Sequence, residues 1–177
     1  MKKELNDNAR ALLGGDLEID YNRVQGNLEL VNEVKSFATI SQMVEFSTMI
    51  STTNKTKNKS IFSRIKTVDE NYPLFGEVGY EPSGAFEKLQ TTENTILVNE
   101  NIFKNLNLEL NDKIKVQDKL FTVIGIVKSV PDIGGAFVFG DFALAGKQTL
   151  ESLKLNNLGS FLNYEYKVRF NEGDNPK

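Results

Sequence analysis

The sequence predicts an α+β fold, rich in strands and divided into two lobes, and three stretches carry that prediction. From Leu106 to Asp132, an Asn111-Asp112 turn leads into alternating Lys113-Ile114-Lys115-Val116, and a two-residue Asp118-Lys119 turn is expected to reverse the chain. A long apolar run follows, punctuated by Gly125 and stopped by Pro131. The first strand of this hairpin has one polar face, whereas Leu120 to Val127 is apolar on both, so the second strand belongs inside a small sheet or barrel. A longer hairpin is expected upstream, where Val44, Phe46, Thr48 and Ile50 recur at period two, Thr52 to Lys59 form a polar tip, and Ile61 to Val68 return. The third stretch is the last strand, with Leu162, Tyr164, Tyr166, Val168 and Phe170 on a core face and Asn163, Glu165, Lys167 and Arg169 on a face expected to meet water.

The remaining elements follow in chain order. Glu4 to Leu13 has helical composition and ends in Gly14-Gly15, which suits a left-handed helix stop. Asp16 to Tyr21 alternates as a half-buried strand. Asn27 can cap a helix whose apolar stripe is Leu28, Val31, Val34, Phe37 and Ala38. Asn71 to Glu77 is a break, because Pro73 biases Tyr72 to extended geometry and Gly76 permits a turn. A poorly patterned stretch runs to Asn94; then Ile96-Leu97-Val98 reads as a short buried strand and Asn99-Glu100 opens a short helix with Phe103 and Leu106 inward. After Gly134-Gly135 come an apolar run from Phe137 to Leu144, a short helix from Lys147 to Leu153, the last strand, and a polar tail.

Composition narrows the chemistry. The 177 residues suffice for one domain with a sizeable core or for two small lobes. There is no cysteine and no histidine, so disulfides, thiolate zinc sites, thiol nucleophiles and the commonest general base are all missing. The net charge is -3 and the lysines are dispersed, which gives no field that would gather nucleic acid. Lys55 to Lys59 is the one basic cluster and reads as a solvated hairpin tip. No apolar run approaches the roughly 20 residues that span a bilayer, and Met1-Lys2-Lys3 leads into Glu4, Asn6 and Asp7 rather than a signal sequence.

No catalytic constellation stands out. Asp16, Glu18 and Asp20 share one strand face at a spacing of ~7 Å, too far apart to enclose a hard cation. Gly134-Gly135 lacks the Lys-Ser/Thr of a phosphate loop, so ATP binding is unsupported. Ser63 and Lys66 formally read S-x-x-K, but on a strand they point to opposite faces. Phe137, Phe139 and Phe142 fit no single alternation, and both core packing and an exposed contact stay open for them.

The order of strand, short helix, L-x-L-x-x-x-D, basic-apolar strand, tight turn and F-x-V-x-G-x-V resembles the extracytoplasmic, MacB-type periplasmic core domain of FtsX-like ABC transporter permeases. Leu12, Leu13, Gly14, Asp16, Leu17 and Ile19 match that family's opening, Tyr72-Pro73-Leu74 with Gly76 its passage between lobes, and Pro131, Asp132, Gly134, Gly135 and Phe137 its return crossover. Similarity is greatest to the branch associated with an arylesterase or lysophospholipase. Asn111-Asp112 replaces the usual Gly-Asp, and asparagine tolerates the positive φ that this turn needs.

The resemblance implies a porter-like lobe from 14–72 and 136–172, an inserted β-rich accessory lobe from 73–135, and a helical lead-in over 1–13 from a removed membrane helix. It implies a non-catalytic function without cofactor or metal, in which a separate ABC ATPase subunit drives handling of a hydrophobic or lipid-like cargo, with an esterase or lysophospholipase as a possible partner. Tyr72, Pro73, Gly76, Pro131, Asp132, Gly134, Gly135 and Phe137 are then the expected hinge or contact residues. The alternative is an intracellular double-psi-barrel-like adaptor that binds proteins, or an accessory domain of a soluble enzyme, since the L-x-L-x-x-x-D-x-I-x-V hairpin resembles those modules too.

Overall fold

The computed structural model describes the backbone of residues 16–22 and residues 35, 38–56, 58–74, 76–131, 140–153 and 162–170. Among the described residues, nine strands and three short helices follow in the order β1 (Asp16–Asn22), β2 (Ala38–Thr52), β3 (Ser60–Val68), β4 (Gly79–Glu81), α1 (Ala85–Thr91), β5 (Thr95–Asn99), α2 (Glu100–Asn105), β6 (Lys113–Val116), β7 (Lys119–Ser129), β8 (Phe142–Gly146), α3 (Thr149–Ser152) and β9 (Asn163–Phe170). Their strand order is β1-β9-β2-β3-β8-β5-β7-β4, with β6 joining β2 to β7. Strands β2, β3, β8, β5, β7 and β6 therefore close into a ring, from which β9 and β1 extend on one side and β4 on the other. The fold is a strand-dominated α+β fold.

Strand β2 makes the closure possible through its length of 15 residues. Ala38 to Glu45 pair with β9, whereas Ile50 to Thr52 pair with β6, so one strand serves a sheet extension at its start and the barrel at its end. Strand β9 lies between β1 and β2, which joins the first and last thirds of the chain. β3 and β8 are parallel neighbours, and β4 to β7 lie between them in sequence while pairing within the same sheet.

The core, however, is shared. One apolar cluster inside the barrel draws Phe46, Ile50 and Ile65 from β2 and β3, Ala143 and Ala145 from β8, and Ile96, Val98, Ile114, Val116, Phe121 and Val123 from β5, β6 and β7. It continues under Tyr164, Tyr166 and Val168 of β9. A second cluster, on the outer side, seats α1 through Phe86 and Leu89 against Met43, Val68, Tyr72, Leu97, Ile124 and Leu144. At roughly 25 cal/mol per Å² of apolar surface, burial in these two clusters is the main favourable term in the fold.

The structure adjusts several sequence expectations. Val116 pairs with Lys119, so the two-residue turn is Gln117-Asp118, and Gln117 takes the positive φ of 52° that such a tight reversal demands. Asn111 sits at φ 72°, as its place in the preceding turn requires. Ala38 begins β2 instead of ending a helix. Residues 79–91, read as unpatterned, hold β4 and α1; the signal was Ala85, Phe86 and Leu89, one short apolar face of seven helical residues after Gly84. Gly125 breaks the apolar run because a Cβ there would lie 2.5 Å from the Glu81 carbonyl oxygen and 2.9 Å from Leu97 Cδ2, where the β5–β7 register shifts.

The outer face of β9 is only partly wet. Glu165 and Lys167 keep 19% side-chain exposure, and Lys66, opposite them beyond β2, keeps 2%. Its ammonium lies 3.6 Å from the Glu165 carboxylate, and Lys167 lies 3.8 Å from the same group. Strand alternation alone could not reveal that this polar face is partly covered.

Candidate functional site at the paired connections

Two connections, after β3 and after β7, flank the segment that lies between β3 and β8, and the structure brings them into contact. The first begins at Asp69. Its carboxylate accepts from Ser41 Oγ at 2.8 Å, from the Gln42 backbone N–H at 2.7 Å and from the Asn71 N–H at 3.1 Å, while Asn71 Nδ2 donates to the Ile40 carbonyl at 2.9 Å. These bonds clamp the turn to the start of β2. Gln90 on α1 donates to the carbonyls of Asp69 and Tyr72 at 3.0 and 3.1 Å, and Arg169 on β9 donates to that of Leu74 at 3.2 Å. Three separate elements thus hold one short loop.

Tyr72 is buried against Phe86, with ring centroids 6.3 Å apart and planes at 53°, a tilted arrangement favoured by the ring quadrupoles. Gly76 has φ 70°, and a Cβ placed on it would stand 2.5 Å from Pro131 Cβ. The chain needs glycine here twice over, for conformation and for space. Tyr72, Pro73, Gly76 and Pro131 line a cleft of about 170 Å³ together with Ser41, Met43, Leu74 and Lys167. Asp132, Gly134, Gly135 and Phe137, the other expected contact residues, lie outside the described residues.

Replacing Gly76 by alanine adds a left-handed residue and a methyl group in contact with Pro131, and should cost about 1–3 kcal/mol. The corresponding loss in melting temperature, with secondary structure unchanged by circular dichroism, checks this. An unaltered melting temperature would show that the two connections do not press on each other in solution.

Burial raises the Asp69 carboxyl above its ordinary value, against the opposing effect of its hydrogen bonds to Gln42, Ser41 and Asn71. A carboxyl that is raised in the folded state binds its proton more tightly there than in the unfolded chain. Its contribution to stability is therefore greatest at acid pH and declines as pH rises from the ordinary carboxylate range through the raised value. The native chain should lose melting temperature relative to Asp69→Asn as pH rises from about 4 to 7. A native chain that gains on Asp69→Asn as pH rises would mean that the hydrogen bonds outweigh burial.

The other candidate groups do not converge. Strand register sets Asp16 opposite Arg169, Glu18 opposite Lys167 and Asp20 opposite Glu165, a cross-strand arrangement and not a cation cage. Among the described residues no group of carboxylates is placed to hold a metal. Ser63 Oγ donates to the Arg64 carbonyl at 3.0 Å while Lys66 reaches Glu165 on the opposite face, so the pair makes no nucleophile and base. Among the described residues, no helix is long and apolar enough to cross a membrane.

Comparison with known proteins agrees with this architecture. The chain is 24% identical over 177 residues to the ABC transporter permease YbbP of Escherichia coli (strain K12), a match that spans 97% of the chain and 20% of that protein. A permease domain from Porphyromonas gingivalis superposes with a TM-score of 0.60 at 14% identity, covering 92% of this chain and 77% of that one. The periplasmic region of MacB from Actinobacillus actinomycetemcomitans gives 0.59 at 12% identity, over 97% and 82%. The extracellular domain of the noncanonic ABC-type transporter YknZ from Gram-positive bacteria gives 0.56 at 10% identity, over 90% and 85%. These likenesses leave the intracellular adaptor alternative without support. Since residues 7–177 match the family described as the MacB-like periplasmic core domain, the chain belongs to that family and is an extracytoplasmic domain of the FtsX-like permease type.

Proposed function

We propose that this domain is the extracytoplasmic part of an inner-membrane ABC permease and passes motion, driven by ATP hydrolysis in a separate ATPase subunit, to a hydrophobic or lipid-like cargo that is handled or exported. It performs no catalysis of its own and takes no cofactor. An esterase or lysophospholipase partner belongs to this reading through the family branch that the sequence resembles. The observation that carries it is the match of nearly the whole chain to an extracytoplasmic core family, together with a permease relative of which it spans a fifth.

In this reading residues 14–72 and 136–172 make the porter-like lobe and 73–135 the accessory lobe. Tyr72, Pro73, Gly76 and Pro131, with Asp132, Gly134, Gly135 and Phe137, form the joint between them. The Gly76 to Pro131 contact and the barrel core supplied by both segments favour a closed clasp over an open hinge. The lobes then travel as one body, and motion arises where the domain meets the membrane segments.

Spin labels at Asp118 and Asn163, both exposed and one in each lobe, test this in the intact permease. The 118–163 distance should be the same in nucleotide-free and ATP-trapped states, while the distance from residue 118 to a label in the membrane region changes. A shift in the first distance would return the connections to a hinge. Constancy of both would remove the coupling role.

A further inference from the structure

Four large apolar side chains are well exposed among the described residues, namely Met49, Phe62, Leu110 and Leu120, and three of them share one barrel wall. Met49 and Phe62 are direct cross-strand partners on β2 and β3. One row further along, Ser60, Ser51, Lys115 and Leu120 stand side by side across β3, β2, β6 and β7. Beyond it, Lys113 pairs with Thr122 and its ammonium meets the Thr122 hydroxyl. The burial alternation of these strands puts all of these residues on the outer side, away from Ile50, Ile114 and Phe121. Phe62 remains 63% exposed, more than any other large apolar residue described.

Charge separates this wall from the rest of the molecule. The chain carries -3 overall, yet β6 presents Lys113 and Lys115 and β3 presents Arg64 outward here, and none of the outward positions from Ser47 to Ser51, Ser60 to Arg64, Lys113 to Lys115 or Leu120 to Thr122 is a carboxylate. Glu45 answers Arg64 at 3.0 Å, so the lysines set the character of the wall. An aromatic and a thioether flanked by cations suit a surface whose apolar residues are bordered by acids.

We propose that this wall docks an acidic, apolar polypeptide surface of a partner protein. Phe62 and Met49 are the apolar anchors, and Lys113 and Lys115 select the acidic partner and orient it. A second copy is a poorer occupant, because none of the outward positions named here is a carboxylate with which the other copy's lysines could pair. A lipid surface is poorer too, because Phe62 lies between Ser60 and Arg64 along a strand and not at a projecting tip, so it would enter a bilayer only if the whole wall did. The inference does not depend on the cargo or coupling role proposed above.

The test is photocrosslinking in the intact permease in its native membrane, with Phe62→p-benzoylphenylalanine and mass spectrometry of the adduct. The expected result is a crosslink to another protein, through a segment of net negative charge, whose yield falls by about fivefold or more when Lys113→Glu and Lys115→Glu are introduced together. Lys113→Gln with Lys115→Gln serves instead if the charge-reversed domain melts early, with a smaller fall in yield expected. No adduct, an adduct to lipid or to a second copy, a crosslinked segment without acidic character, or a yield indifferent to the lysine changes would each overturn the proposal.

Discussion

Alanine at position 66 should lower the stability of this domain by about 3–5 kcal/mol, the effect of removing one partner from a buried ion pair. Lys66 keeps 2% side-chain exposure, and its ammonium lies 3.6 Å from Glu165, which keeps 19%. Truncation removes the aliphatic stem from a covered site and leaves the Glu165 carboxylate with less positive charge around it, although Lys167 at 3.8 Å still answers part of it. Lys66→Met separates the two causes, since it restores most of the stem without the charge. If electrostatics dominates, Lys66→Met melts close to Lys66→Ala, and adding Glu165→Gln recovers stability. If packing dominates, Lys66→Met melts near the native chain and Glu165→Gln adds nothing. A native-like melt of Lys66→Ala itself would mean that this side chain stands in water.

How far the sequence reveals this molecule depends on the range of the interaction. The β6–β7 hairpin, the β2–β3 hairpin and the alternation of β9 are local, set by periods of two and by turn residues, and they are where pattern and structure agree. Closure through β2 and β6 is not local, because Ile50 and Val116 meet only once the barrel forms, and nothing in either strand specifies the other. The covered position of Lys66 is hidden for the same reason. The connection residues were legible as punctuation by proline and glycine, but the contact of Gly76 with Pro131 joins positions far apart in sequence and had no signal beyond the glycine itself. The exposed pair Met49 and Phe62 carries no sequence signal of its own, since alternation counts apolar residues without showing which face is left open.

Phe121→Ala probes whether the inserted segment stands alone. Phe121 is 1% exposed in the barrel interior, in one cluster with Phe46, Ile50 and Ile65 from β2 and β3 and Ala143 and Ala145 from β8. Losing the ring should cost about 3–5 kcal/mol, through lost transfer energy and the cavity left behind. The location of the effect matters more than its size. With one shared core, global unfolding becomes easier for the entire domain, so amide hydrogen exchange should accelerate by roughly 100-fold or more in β2 and β9 as well as in β5 and β7. Were residues 73–135 an independent unit, protection would fall in β5 and β7 and persist in β2 and β9. Equal acceleration in both sets would mean that a push on the β6–β7 hairpin is felt at β9 without a flexible joint between them, as passing motion through a closed barrel requires.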